Sequence, residues 1–387
     1  MTTIWVYGAR DSRTRSGAPF YFMQHLARQA SGTAFSVAGI PLVRISEAPL
    51  AFARWALKNR NLSSGRYLFT QDYHDTSFAK TGVRVKPGDV VISFTQILPR
   101  ALLDRDDITL YSYFDVTLSE FCGRFWPSRA SEEDLTSAIV AREKHVYRQV
   151  QRLFVYTPET KASLTADYNV RADRITVLGR GANVPLDLRA SRTRAGSEKL
   201  NLMIVGIDAA RKGMNTLIAA IDALPPANQE RIILTLAGPR RWSVPRRKYI
   251  RALGYMGPNQ REKLLARMAR ADLGVLLSTA DALPSSVFEF LTLGVPIWTT
   301  DLPGMREALA GHPAYFETLP IEVEHVRSRL LSWTERPSLV RDAINSQSAN
   351  ADALSWSSRA ARVLATIEAE QSLPASTGVV AISDGVI

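Results

Sequence analysis

The sequence predicts an α/β protein built from two parallel-sheet domains. Three observations carry that prediction. Short apolar runs alternate with helix-like stretches from end to end of the 387 residues, the pattern of parallel strands joined by crossover helices. Several runs are apolar on both faces, as strands covered by helices on each side are. The series pauses after Asn183 and restarts at Leu200, so a chain long enough for two or three domains carries two sheets.

Residues 2–9 read as the first strand, followed by a loop that ends in Ser16, Gly17, Ala18 and Pro19 and by a helix over 19–30. Further strands are expected at 89–94, 108–114, 152–157 and 175–180, completing a first domain over 1–183. Residues 184–199 carry Pro, Gly, Ser and charge without apolar periodicity and read as a linker. The second series has strands at 200–207, 231–238, 271–277 and 295–300, with helices at 215–224, 259–269 and 285–294, in a domain over 200–353. Residues 354–372 read as one long terminal helix, and 373–387 as a weakly patterned, mobile tail.

Composition narrows the function. Lysine and arginine number 48 against 37 acidic residues, a net charge of +11. The densest basic run, Arg240, Arg241, Arg246, Arg247, Lys248 and Arg251, lacks the interleaved aromatics of a single-strand binding groove. No zinc-finger, RNA-recognition or zipper pattern occurs, so nucleic acid is not expected as a partner. The single cysteine, Cys122, excludes an internal disulfide framework and a cysteine zinc cage. No apolar run reaches the roughly 18 residues of a membrane span, and the N-terminus lacks the pattern of a signal peptide. A cytoplasmic location is therefore expected. Arg10, Arg13 and Arg15 make an anionic membrane face a candidate for peripheral contact.

The strongest chemical signal lies at 281–309. Pro284, Ser285 and Ser286 open a helix, Glu289 falls about one turn inside it, and Asp281 precedes it in the loop. A helix N-terminus offers unpaired N–H groups to phosphate. Carboxylates beside such a site serve hydroxyls, because they accept hydrogen bonds and repel anions. A phosphorylated sugar meets both demands, although Glu289 also fits an ordinary first-turn helix acid. A second signal is the strand-to-helix turn with Gly206, Arg211, Lys212 and Gly213, whose cations suit a diphosphate. It is not a P-loop, and the first loop around Gly17 is not a dinucleotide fingerprint. Asp115 follows a buried strand, where it fits a crevice residue or a helix cap. The five histidines show no metal-ligand spacing.

Taken in order, these segments resemble the retaining GT-B glycosyltransferases of the family 4 type, glycosyl transferases group 1. The stretch from Asp281 to Glu289, continuing through Gly294 and Pro296, resembles that family's E-x7-E segment and the G-x-P after it, with Asp281 in place of the first glutamate. The resemblance implies two Rossmann-like domains across a cleft and a terminal helix returning to the first. It implies that Glu289 holds the ribose hydroxyls, that Asp281 lies by the donor sugar and that Lys212 binds the diphosphate. Gly17, Gly206, Arg211, Ser285 and Ser286 join the donor-binding set. The family's usual arginine falls on Ile207, and Arg211 is the expected substitute. Asp115 stands where many relatives carry an active-site histidine, and Asp115 and Asp281 are the expected catalytic residues. The implied activity is transfer of a sugar from a UDP- or GDP-sugar to a hydroxyl of a glycan, lipid or small molecule, with retention and without a metal or other cofactor. A nucleotide-sugar epimerase of the same fold and a non-catalytic sugar-nucleotide-binding scaffold remain as alternatives.

Overall fold

The computed structural model describes residues 1–11, 17–125, 133–185, 199–240, 243–302, 304–309, 316–345 and 354–372. Most of the expected linker, the terminal tail, and Arg13, Arg15 and Ser16 lie outside the described residues.

Two six-stranded sheets carry the architecture. The first contains β1 (Thr2–Tyr7), β2 (Phe35–Ile40), β3 (Val90–Ser93), β4 (Thr109–Phe114), β5 (Arg152–Val155) and β6 (Ile175–Val177), in the order β2-β1-β3-β4-β5-β6. The second contains β7 (Leu200–Val205), β8 (Ile232–Ala237), β9 (Ile250–Gly254), β10 (Leu273–Leu276), β11 (Ile297–Thr299) and β12 (Phe316–Thr318), in the order β12-β11-β10-β7-β8-β9. Every pairing is parallel. Central strands such as β3 and β10 are buried along their whole length, which explains their unbroken apolar sequence.

Counted from β7, the second sheet has the doubly wound order 3-2-1-4-5-6, whose direction of winding reverses between β7 and β10. Ligands of open parallel sheets bind outside the carboxyl ends of the strands at such a point. The first sheet reverses between β1 and β3.

The terminal helix, Trp356–Ser372, packs on the first domain against the helix Ala18–Gln29. Trp356 is fully buried among Phe22, Phe94, Tyr113 and Tyr156 and donates its indole N–H to the Asn183 side chain at 2.9 Å. Gly181 is required there, because a Cβ would lie 2.4 Å from the Trp356 backbone nitrogen. Farther along the helix, Glu370 pairs with Arg152 at 2.6 Å and accepts from the Tyr111 hydroxyl at 2.8 Å. A predominantly apolar contact is thus pinned at both ends by directional bonds.

Candidate functional site

The loop after β7 is built to reach the loop after β10. Gly213, at φ 71°, begins the helix Met214–Asp222 and sits so tightly on β10 that a Cβ would fall 2.2 Å from the Leu277 carbonyl oxygen. The Thr279 N–H then donates to the Arg211 carbonyl at 3.0 Å. This docking delivers Lys212 to Asp281. The ammonium and the carboxylate are ion-paired, and Asp281 also accepts from Ser278 at 3.0 Å and faces Arg211 at 3.2 Å. Burial lowers the Lys212 pKa from its ordinary value, with Asp281 offsetting part of that effect and the positive charges of Arg211 and Arg180 adding to it. Lys212 is therefore a desolvated cation, whose field acts strongly on any nearby phosphate.

Beside this cluster lies a hollow of about 270 Å³, lined by Gly206, Ile207, Gly238, Ser285, Glu289 and Arg261 of the second domain and by Tyr21 of the first. Glycine is dictated at both strand ends. A Cβ on Gly206 would lie 2.7 Å from Lys212 Cγ, and one on Gly238 would lie 2.0 Å from the Gly206 carbonyl oxygen. The stem of Lys212 therefore packs along Gly206, in the space a side chain there would take, at the mouth of β7.

Of the residues singled out by sequence, Gly206, Ser285 and Glu289 line this hollow, and Lys212, Arg211 and Asp281 form the adjoining charged cluster. Ser286 is buried in the first turn of the helix Ser285–Thr292 and does not line it. Arg211 is turned toward the loop after β10, where it donates to the Ala280 carbonyl at 2.9 Å. Gly17, at φ 84°, begins the helix that carries Tyr21. Asp115 is elsewhere. It lines a larger cavity of about 670 Å³ at the carboxyl ends of β2, β3 and β4, with Leu42, Leu68, Phe69, Gln96, Leu118 and Phe121 among its walls. Arg10 is engaged by Glu47 and by the Leu42 carbonyl at 3.0 Å.

Two arginines escaped the sequence reading. Arg261 pairs with Glu289 at 2.6 Å, donates to the Asn183 carbonyl at 2.7 Å and bonds to Tyr21, tying the two domains together at the hollow. Burial alone would lower its pKa, but Glu289 and Tyr21 outweigh it and the net shift is upward. Arg180, just after β6, donates to the Leu283 carbonyl at 2.9 Å and lies over the rings of Tyr156 and Phe288. Leu283 is fully buried at φ 46°, an uncommon conformation for a bulky residue. Arg180 fixes that carbonyl from the other domain and so helps set the loop between Asp281 and Ser285. Neither arginine lies in a distinctive motif. A first-turn arginine of a helix and an arginine between two glycines are each unremarkable in one dimension.

Comparison with known proteins places the fold. Residues 189–345 match the family model of glycosyl transferases group 1. No curated protein matches the chain by sequence. Among solved structures, sucrose-phosphate synthase from Thermosynechococcus elongatus superposes with a TM-score of 0.68 at 15% identity, over 96% of this chain and 99% of that one. WaaG, a glycosyltransferase involved in lipopolysaccharide biosynthesis, gives a TM-score of 0.60 at 16% identity, over 93% of this chain and 99% of its own. Anabaena HepE in complex with UDP gives 0.56 at 14% identity, over 96% and 100%. The fold is thus GT-B, with two Rossmann-like domains, and the second domain carries the glycosyl transferases group 1 match. Among the described residues, no helix is long and apolar enough to cross a membrane.

Proposed function

We propose that the protein transfers a sugar from a nucleotide-diphosphate sugar to an acceptor hydroxyl, with retention at the anomeric carbon. The observation that carries this reading is Lys212, a desolvated cation lying along Gly206 at the switch point of the second sheet, beside a hollow that also holds Glu289. The neighbouring HepE structure holds UDP, which makes UDP-sugars the first donors to test.

In this reading the diphosphate approaches the glycine-lined mouth of β7 and the N-terminus of the helix Ser285–Thr292. Glu289 accepts from ribose hydroxyls, with Arg261 holding it in place. As the bond from the anomeric carbon to the β-phosphate oxygen breaks, negative charge grows on the phosphate, and Lys212 stabilises it. Asp281 positions Lys212 and faces the donor sugar. The acceptor hydroxyl attacks from the face the phosphate leaves, and its proton passes to the departing phosphate oxygen. Turnover is expected without a metal, because the lysine supplies the charge. The acceptor enters the cavity beside Asp115, whose many apolar walls suit an acceptor with an apolar part.

Thermal-shift titration with UDP-, GDP- and ADP-sugars should show one preferred nucleotide, since a ligand that binds the native state raises its apparent stability. Turnover with that donor, followed by mass spectrometry and by NMR of the anomeric proton, should give a product of unchanged anomeric configuration. No saturable donor binding would sink the reading, and an inverted product would sink its retaining part.

A further inference from the structure

We propose that the first domain docks on an anionic membrane surface through the helix Pro49–Asn59 and the segment that follows it. The docking rests on this surface alone. Only its use, presenting a membrane-borne acceptor to the cavity beside Asp115, rests on the transferase reading.

The helix Pro49–Asn59 is anchored from one side. Trp55 and Ala56 are buried, and Phe52, Trp55 and Tyr67 pack ring against ring at 5.3–6.1 Å. The opposite side faces outward. Leu50 and Leu57, two helical turns apart, are 73% and 81% exposed, and Leu62 just beyond is 86% exposed. Solvated surfaces carry single leucines commonly, but three exposed leucines within thirteen residues, flanked by cations, suit an interfacial segment. Arg54, Lys58, Arg60 and Arg66 supply the cations, and no acidic residue occurs between Glu47 and Asp72.

A concavity adjoins this face. It measures about 420 Å³ and is lined by Lys58, Arg66, Arg100 and Arg142, with Asp72 as its acid. Arg100 is already paired with Asp75 at 3.4 Å, and the remaining cationic excess around the basin fits lipid phosphates, while the leucines fit the acyl boundary beneath them. The walls of the Asp115 cavity include Ile45, Ser46, Leu68 and Phe69, which flank the docking segment in the chain. Docking by this face therefore sets the apolar cavity beside the bilayer. The contact differs from the one expected of Arg10, whose guanidinium is already held by Glu47.

Flotation of the full chain with phosphatidylcholine vesicles, with and without about one-third phosphatidylglycerol, tests the proposal at about 0.05 M and about 0.5 M salt. The protein should bind the anionic vesicles only, and binding should weaken at least about tenfold at high salt. Replacing Leu50, Leu57 and Leu62 together by Gln should lower affinity by about 100-fold or more. Each of Arg54→Gln, Lys58→Gln and Arg60→Gln should lower it about fivefold at low salt. Melting temperatures should stay at the wild-type value, because these side chains are exposed. No vesicle binding, equal binding to neutral vesicles, or wild-type binding by all these variants would overturn the proposal. So would tighter binding to an oligonucleotide that ignores the leucine substitutions. Donor binding, measured in parallel without vesicles, separates the two readings. Its persistence when docking fails leaves the transferase standing, and its absence when docking succeeds leaves only the docking.

Discussion

The two hollows of this molecule lie at equivalent places and are made of opposite materials. Both sit at the carboxyl ends of parallel strands. The one in the second domain is narrow and glycine-lined, with Lys212 and Glu289 buried and Arg261 half-buried in or beside it. The one in the first domain is more than twice as large, at about 670 against 270 Å³, and much of its wall is apolar. Its polar groups bond largely to the protein itself. The Tyr73 hydroxyl donates to the Val43 carbonyl at 3.0 Å, Gln96 donates to the Val116 carbonyl at 2.9 Å, and His74 bonds to the Tyr7 hydroxyl at 2.9 Å. A diphosphate needs charge and close backbone approach, whereas an apolar group needs only volume. Under the proposed transfer, the second domain supplies the chemistry and the first supplies the fit, and perturbing one should leave binding at the other intact.

The sharpest way to break that division is Lys212→Ala. Donor turnover should fall by about 100- to 1000-fold, the usual effect of removing one preorganised charge-stabilising group. Binding of the acceptor alone, followed by calorimetry, should stay within twofold or so of wild type. An equal loss of acceptor affinity would mean that the two hollows act as one site. Arg261→Gln comes next. It leaves the carboxylate of Glu289, 2% exposed, without its cation, and should destabilise the fold by about 3 kcal/mol in urea titration. Adding Glu289→Gln should restore much of that stability without restoring donor binding. A double variant that bound donor normally would remove Glu289 from the site.

The same contrast explains what could be read from the sequence. Lys212, Asp281 and Glu289 were legible because charged chemistry at a switch point comes in short contiguous motifs, each opening a helix. The cavity around Asp115 was not, because its walls come from positions spread over 42–121 and look like any other core residues. Arg261 and Arg180 were invisible for a related reason. Each acts by reaching the other domain or a loop far along the chain, 78 residues away for Arg261 to Asn183 and 103 for Arg180 to Leu283. The fold shows the same split. The central strands announced themselves as apolar runs, whereas β2, β9 and β12 were missed, and all three are edge strands. Their half-exposed positions dilute the apolar signal, as Arg251 does in β9 and Glu317 in β12.

Phe69→Ala tests the first domain in the opposite direction. Phe69 lines the apolar cavity with Phe121, at 6.1 Å between ring centroids. Shortening it should raise KM for an acceptor bearing an apolar group about tenfold, from lost burial. The donor KM and kcat should hold. A matched rise in donor KM, measured with the acceptor saturating, would show that the cavity wall reaches the donor.

The smallest effect on turnover is expected from Glu143, which supports the same wall from behind. It is fully buried on the helix Glu133–Gln149. Its carboxyl accepts from the Leu118 N–H at 3.0 and 3.1 Å, from the Tyr147 hydroxyl at 2.9 Å and from the Tyr168 hydroxyl. These bonds hold the start of the helix Leu118–Phe125, which contributes Leu118 and Phe121 to the cavity. Burial pushes the Glu143 carboxyl up to about 8, with the hydrogen bonds opposing that rise and the neighbouring Glu120 adding to it. Between its ordinary value of 4.5 and about 8, the folded chain keeps a proton that the unfolded chain has released. Stability from this group is therefore greatest below that window and falls as pH rises through it, by at most about 1.4 kcal/mol per pH unit. Glu143→Gln should flatten that part of the urea-midpoint profile between about pH 5 and about pH 8, while donor turnover at a fixed pH barely moves. A variant whose profile keeps the wild-type slope would show that the buried proton resides elsewhere. A large loss of donor turnover in a folded variant would break the division itself, because nothing on this wall lines the hollow beside Lys212.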